Sequence, residues 1–276
     1  MQYLSPTRLE DALQMLATHV PSVIAGGTDW YPAQGEAPVK CDLLDVTRIE
    51  GLRGIARSDA GWRIGGASTW SDIIAADLPP AFDGLKAAAR EVGSVQIQNA
   101  GTVAGNLCNA SPAADGVPPL LMLDAVVELQ SAQGTRVLPL DQFLTGVRQT
   151  ALGVDELVCA ILIPEVSATR KSAFMKLGAR KYLVISIAMV AVSFELENSV
   201  LRDMRIAVGA CSPVALRLRG LERAVEGQAL ESVEGIVRDA DLSMLSPIDD
   251  VRGSEVYRLD VVRSLIMRAI NGVAHG

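Results

Sequence analysis

The sequence predicts a mixed α+β chain in two domains, on three observations. A strand–loop–strand pattern within residues 1–55 has the form of a small parallel βαβ unit. Three runs of strand character, at residues 172–176, 185–195 and 201–208, follow one another with a turn signal near Asn198, as in an antiparallel sheet. Beyond Pro213 the pattern turns helical. It closes on residues 255–273, where Val256, Leu259, Val262, Ile266 and Ile270 recur near 3.6 spacing. The expected domains are residues 1–167, in parts of about 1–55 and 56–167, and residues 168–276, a three-stranded antiparallel sheet with helices.

Taken in order, residues 7–18 read as an amphipathic helix. Ser5, Pro6 and Thr7 supply capping chemistry, and Leu9, Ala12, Leu13 and Leu16 line one face. Residues 20–25 form a strand, 26–30 a loop and 42–46 the next short strand. Residues 62–67 alternate like a strand and end in glycine. Residues 68–72 then offer a helix N-cap, and Pro79 and Pro80 stop that helix. Residues 82–92 form a second helix, apolar at Leu85, Ala88, Ala89 and Val92. Residues 118–123 read as a helical turn, since proline is tolerated at a helix start. Residues 126–130 and 135–138 are strands joined by a turn, 140–144 is a short helical segment, and 157–163 is an apolar strand stopped by Pro164. After Pro213 the helical stretches are 215–225, 230–239 and the last helix.

Composition narrows the function. The 276 residues carry a net charge of -7 and no basic run, which argues against nucleic acid as a partner. No apolar stretch reaches the ~20 residues that cross a bilayer, so no membrane span is expected. The first residues lack a charged segment followed by an apolar core, so no signal peptide is visible and the cytoplasm is the expected location. Cys41, Cys108, Cys159 and Cys211 lie far apart, without a Cys-x-x-Cys, and the two histidines are His19 and His275. An iron–sulfur or zinc site of this chain's own is therefore not expected, and four free thiols, most of them buried, are.

Two windows stand out. Residues 101–115 pack Gly101, Thr102, Gly105, Asn106, Asn109 and Ser111 into a stretch with almost no bulky side chain, and Asp115 is its only charge. Backbone N–H groups and short polar side chains of this kind cradle anionic or polar ligands, and Asp115 could accept from a hydroxyl. An ordinary polar loop is the alternative. The second window, Val23-Ile24-Ala25-Gly26-Gly27-Thr28-Asp29, is a β-branched run that breaks into a Gly-Gly turn, as a strand does before a phosphate-type loop. A Gly-x-Gly-x-x-Gly fingerprint and a Walker loop are both absent.

Together the windows resemble one family closely: the FAD-binding subunit, or medium chain, of the molybdenum hydroxylases. That group includes xanthine dehydrogenase, aldehyde oxidoreductase and carbon monoxide dehydrogenase, with a flavin domain of the p-cresol methylhydroxylase type. The family carries an Ala-Gly-Gly-Thr-Asp-like loop and, about eighty residues later, a Thr-x-Gly-Gly-Asn…Ala-Ser-Pro-x-x-Asp segment. Here these stand as Ala25 to Asp29, Thr102 to Asn106, and Ala110-Ser111-Pro112 before Asp115. Ala104 departs from the pattern, which usually has glycine there. Alanine keeps close ligand approach, but a positive φ at that position would be strained.

The resemblance implies FAD, bound non-covalently. The pyrophosphate would sit on the amides of Ala25, Gly26, Gly27, Thr28 and Asp29, with Val23 and Ile24 completing that window and Thr28 adding its hydroxyl. Trp30 would either flank the cofactor or join the core. Thr102, Val103, Ala104, Gly105 and Asn106 would serve the pyrophosphate and ribityl side, and Asp115 an adenine-side ribose hydroxyl. Leu157 and Val158 fall where the family lays an aliphatic side chain against FAD. Lys176 would stabilise negative charge on the reduced flavin, a solvated surface lysine being the alternative, and Ile185 would screen one ring face. Val92 holds a position where the family often has an aromatic, and valine cannot stack.

The implied partners are a molybdenum-cofactor catalytic subunit and a 2Fe-2S subunit on other chains, with NAD or another acceptor receiving the electrons. No catalytic acid–base group and no metal are expected on this chain. Two further readings stand beside this one: a stand-alone flavin oxidoreductase, against which the short length and scarce histidine argue, and a cofactor-free scaffold.

Overall fold

The structure, a computed structural model, describes residues 1–275. Packing divides the chain into two compact units that interleave along the sequence. One is Met1–Ala76, Ser94–Ala110 and Ala125–Glu165; the other is Asp77–Gly93, Ser111–Asp124 and Val166–Gly276.

The first unit holds a small parallel sheet ordered Tyr3–Leu4, Leu43–Asp45, Ser22–Ile24. Parallel strands need crossovers, and the helix Leu9–His19 links Tyr3–Leu4 to Ser22–Ile24, the two strands that flank Leu43–Asp45. Its Ala12, Leu13 and Leu16 are buried in a cluster with Leu44, Val46, Ile49 and Leu52. The expected capping by residues 5–7 is not used. The N-cap is Arg8, whose side chain makes no capping bond, and the helix starts two residues later than the periodicity suggests.

The unit's second sheet has the order Ile55–Ser58, Gly61–Gly65, Leu157–Pro164, Val126–Ser131, Gly134–Pro139, all antiparallel. The central strand Leu157–Pro164 is buried along most of its length, which explains its unbroken apolar run. The edge strand Ile55–Ser58 carried no signal because its Ala56, Arg57 and Ser58 lie open to solvent. Helix Trp70–Ala75 begins in a reciprocal capping box: Thr69 Oγ1 accepts from the Asp72 amide while the Asp72 carboxylate accepts from the Thr69 amide.

The second unit is built on an antiparallel sheet ordered Lys171–Leu177, Ala188–Glu197, Val200–Gly209, Leu216–Arg217. Asn198 and Ser199, with φ of 48° and 66°, make the two-residue turn that matches strand twist. The three expected strands are joined by a fourth, Leu216–Arg217, and the helix expected from residue 215 starts only at Arg219. Two paired residues are too few to show alternation. They are held because Leu218 donates to the Ile206 carbonyl and Arg217 pairs with Glu222.

Val190, Val192, Ile206 and Val208 form the core with Val262, Ile266 and Ile270 of the helix Glu255–His275. Met189, Ala191 and Ala207 are also buried, so both sheet faces are covered. The helices Asp83–Glu91 and Val117–Met122 belong to this unit and pack on its strands.

The thiols divide evenly rather than being mostly buried: Cys159 and Cys211 are inside, Cys41 and Cys108 exposed. No described helix is long and apolar enough to cross a membrane.

Candidate functional site

In the first unit Ile24 ends its strand opposite Asp45, and the Val46 amide donates to the Ile24 carbonyl at 3.0 Å. The chain then leaves the carboxyl edge of the parallel sheet through Ala25–Asp29, the edge where ligands of parallel sheets gather. Gly27 has φ +68°, which a side chain rarely adopts. Gly26 is needed for a different reason: a Cβ there would lie 1.8 Å from the Ala100 carbonyl oxygen. A Cβ at Gly101 would come 3.3 Å from Thr28 Oγ1. The two glycine windows, some seventy residues apart in sequence, therefore meet backbone to backbone.

The second window is not a continuous loop. Helix Val95–Ala100 runs into Gly101, and Thr102 caps helix Val103–Asn109, its hydroxyl accepting from the Gly105 amide at 3.1 Å. Threonine, asparagine and glycine read as loop by composition, yet threonine here serves the N-cap, where its hydroxyl is favoured. Gly101 and Val103 are fastened by bonds to the Trp70 amide and the Ser68 carbonyl. Ala104 sits inside the helix, and its φ is not among the positive ones, so the strain feared at that position does not arise.

This arrangement leaves hydrogen-bonding capacity open. Among the described residues, the amides of Gly26, Gly27 and Thr28 have no acceptor. Asn106 buries its side-chain oxygen without a donor. The three amides belong to half-buried residues, and the Asn106 oxygen is a buried polar atom that is costly to leave unpaired. Free amides at a glycine loop suit an anionic group, and the Asn106 oxygen suits a donor, both of which FAD carries.

Other residues of the window are structural. Ile24, Val103 and Ala104 are buried, whereas Val23 and Asp29 face solvent. Trp30 does not join the core. Its helix, Trp30–Gln34, buries no residue, and its ring meets Tyr31 edge to face at a centroid distance of 5.0 Å. A five-residue helix has no second turn to press the indole inward. Leu157 and Val158 lie on the central strand, and Leu157 packs in the cluster around helix Leu9–His19.

In the second unit Asp115 and Lys176 form a buried pair. Nζ of Lys176 is 2.7 Å from Asp115 Oδ2, and the two side chains are 6% and 9% exposed. Ser186 Oγ donates to Asp115 Oδ1 at 2.6 Å, and Lys176 Nζ also donates to the Glu91 carbonyl at 3.5 Å. Burial pushes the Asp115 carboxyl above its ordinary range, against the opposing pull of Lys176 and Ser186. Lys176 is thus not a solvated surface lysine.

Beside it opens a groove of about 390 Å³ lined by Glu91, Phe174, Lys176, Arg180, Lys181 and Val184. Ile185 projects next to Ser186 and is 55% exposed. Val92 ends helix Asp83–Glu91 and is half-buried. Ser186 as Asp115's second partner was missed, because a serine 71 positions away leaves no local signal.

Known proteins resemble the chain over nearly its whole length. Residues 1–166 match the family model described as the FAD binding domain in molybdopterin dehydrogenase, and residues 173–273 match the CO dehydrogenase flavoprotein C-terminal domain. The nicotinate dehydrogenase FAD-subunit of Eubacterium barkeri is 33% identical over 97% of this chain and 94% of its own. The putative xanthine dehydrogenase FAD-binding subunit of Escherichia coli K12 is 29% identical over 98% and 94%. Among solved structures, carbon monoxide dehydrogenase from Hydrogenophaga pseudoflava superposes with a TM-score of 0.90 at 27% identity, covering 99% of this chain and 97% of that one. The glycine windows, the mixed α+β architecture and these matches converge: the chain belongs to the family of FAD-binding medium subunits of the molybdopterin dehydrogenases.

Proposed function

We propose that this chain holds FAD within a molybdenum hydroxylase complex and passes electrons from the 2Fe-2S clusters of a partner subunit to NAD or another acceptor. The observation that carries the reading is the meeting of the two glycine windows, with the amides of Gly26, Gly27 and Thr28 and the side-chain oxygen of Asn106 all unpaired. FAD, when bound, supplies the redox chemistry, and the chain's own part is to bind, orient and tune.

The loop Ala25–Asp29 would take the pyrophosphate on its amides, and Thr102–Asn106 would complete that cradle. Ile24, Val103 and Ala104 would fix the backbone of the two windows from buried positions, and Val23 would complete the first window from an exposed one. Lys176 Nζ lies 2.7 Å from Asp115 Oδ2, so the two would serve one and the same end of the cofactor, and the adenine-side ribose expected for Asp115 does not go with a flavin-side Lys176. Asp115 retains lone pairs for a cofactor hydroxyl beyond those used by Lys176 and Ser186. Lys176 would set a positive charge where negative charge develops on reduction. Ile185, Leu157 and Val158 would give apolar walls, and Trp30 an aromatic flank.

The cofactor domain would span residues 1–167 and the C-terminal domain 168–276, a division supported by the two family matches. The molybdenum-cofactor subunit and the 2Fe-2S subunit would be separate chains, supported by relatives named as medium or FAD subunits of dehydrogenases. The cytoplasm is the compartment this reading expects.

The test is an absorption spectrum of the purified chain, then of the complex recovered with its partners. Oxidised-flavin bands released by denaturation, and bleached when organic substrate is added to the complex, support the reading. A chain that takes up no FAD, alone or with partners, would overturn it. Flavin that stays oxidised while the catalytic subunit turns over would overturn the electron path.

A further inference from the structure

We infer that Arg258 is a positioning residue that clamps the frame of the Asp115–Lys176 pair from behind. The inference rests on the reading of that pair as part of the flavin site. Arg258 lies on the helix Glu255–His275 and is 3% exposed. Its Nη1 donates to two carbonyls, Ile187 at 2.5 Å and Ala210 at 3.2 Å, and its Nη2 pairs with Asp250 Oδ1 at 2.7 Å.

Both carbonyls belong to segments that hold Asp115. Ile187 directly follows Ser186, whose hydroxyl donates to Asp115 Oδ1, and the Ile187 amide donates to the Leu177 carbonyl, next to Lys176. Ala210 donates its own amide to the Pro112 carbonyl at 2.9 Å, three residues before Asp115 in the chain. One guanidinium thus ties together the segment bearing Ser186 and the segment that anchors the Asp115 loop. Nη1 serves both carbonyls while Nη2 holds Asp250, so the planar fork fixes the carbonyl side and the carboxylate side at once, where a lysine ammonium offers only a point charge. Asp250 compensates the buried charge.

The geometry predicts a graded series. Arg258→Met keeps the packing and loses both carbonyl bonds. Arg258→Lys keeps a charge for Asp250 and reaches at most one carbonyl. Arg170→Met is the control: Arg170 is an equally buried arginine of the same unit, bonded to Ser193 and Asp203 near the far end of the sheet strands.

The full chain is measured by amide hydrogen exchange without FAD, and by FAD dissociation constant and flavin reduction potential with it. Arg258→Met is expected to raise exchange at residues 111–116 and 184–187 and to weaken FAD about tenfold or more. It should also shift the potential to more negative values as Lys176 loses its fixed place. Arg258→Lys should fall between it and the wild type, and Arg170→Met should change none of these beyond its loss of stability. If Arg258→Met does not fold, the ordering of Arg258→Lys against Arg170→Met decides. Equal effects of the Arg258 and Arg170 variants at matched melting temperature would overturn the inference while leaving the flavin reading intact. A wild-type chain without FAD would overturn the flavin reading and the inference with it.

Discussion

Gly26 has an ordinary φ, yet it is expected to tolerate alanine less well than its neighbour Gly27, whose φ is +68°. At Gly26 the added Cβ would meet backbone: the Ala100 oxygen at 1.8 Å, its carbon at 2.3 Å and the Gly101 nitrogen at 2.9 Å. No rotamer relieves such a clash, so the two windows must part by more than an ångström. Overpacking of this kind costs about 1–3 kcal/mol, and a rigid backbone neighbour places it at the upper end, about 3 kcal/mol. The same shift carries the free amides of the first loop away from their ligand. Each charge-assisted bond lost costs about 1.5–3 kcal/mol, so FAD affinity falls at least about tenfold. At Gly27 alanine costs about 1–2 kcal/mol for the left-handed backbone, and its Cβ meets the Tyr31 ring at 2.6 Å, a side chain that can turn aside. Thermal unfolding without FAD and fluorescence titration with it would measure both. A Gly26→Ala chain that melts and binds like wild type, or better than Gly27→Ala, would refute the meeting of the two windows.

Asp115→Ala should cost about 3–5 kcal/mol in urea unfolding, because it strands the buried Lys176 ammonium, and adding Lys176→Met should return most of it. A loss below about 1 kcal/mol would match an exposed pair instead. Tyr3 donates to Asp45 Oδ2 at 2.6 Å, and this hydrogen bond, chiefly, raises its hydroxyl from 10.0 to about 12. The folded pKa is the higher one, so the stabilisation is full below pH 10 and is lost as pH rises toward 12. Melting temperature against pH should therefore fall more steeply in that window for wild type than for Tyr3→Phe, and parallel curves would contradict this. Ala104→Gly, which restores the family's residue, should lower stability by about 1 kcal/mol as glycine does inside a helix, with FAD content unchanged. A gain in FAD affinity would show that the alanine obstructs the ligand.

The sequence was most legible where one residue pattern answers to one local cause. The apolar run of Leu157–Pro164 follows from burial on both faces, the Asn198–Ser199 turn from two positive φ values, and the start of helix Trp70–Ala75 from the Thr69–Asp72 box. Both glycine windows were legible as well, because only glycine permits the approach at Gly26. Illegible were features created by tertiary contact. Helix Val103–Asn109 hides in residues that prefer loops until Thr102 caps it. Strand Leu216–Arg217 is two residues paired with Val208 and Ala207 and held by the Leu218 and Arg217 bonds, none of which a local sequence pattern announces. The pairing of Asp115 with Lys176 and Ser186 joins residues 61 and 71 positions apart, and no periodicity spans such distances.

The interleaving of the two units has a consequence for synthesis on the ribosome. The chain passes from one unit to the other after Ala76, Gly93, Ala110, Asp124 and Glu165. Helices Asp83–Glu91 and Val117–Met122 therefore emerge long before strands Lys171–Leu177, Ala188–Glu197 and Val200–Gly209, against which they pack. Until those strands are made, the two helices lack the surface they pack on, although Leu85, Ala88, Leu120 and Met122 are each fully enclosed in the finished fold. A nascent chain stalled near residue 167 would carry these two helices as exposed apolar ribbons, a natural target for chaperones and a seed for aggregation.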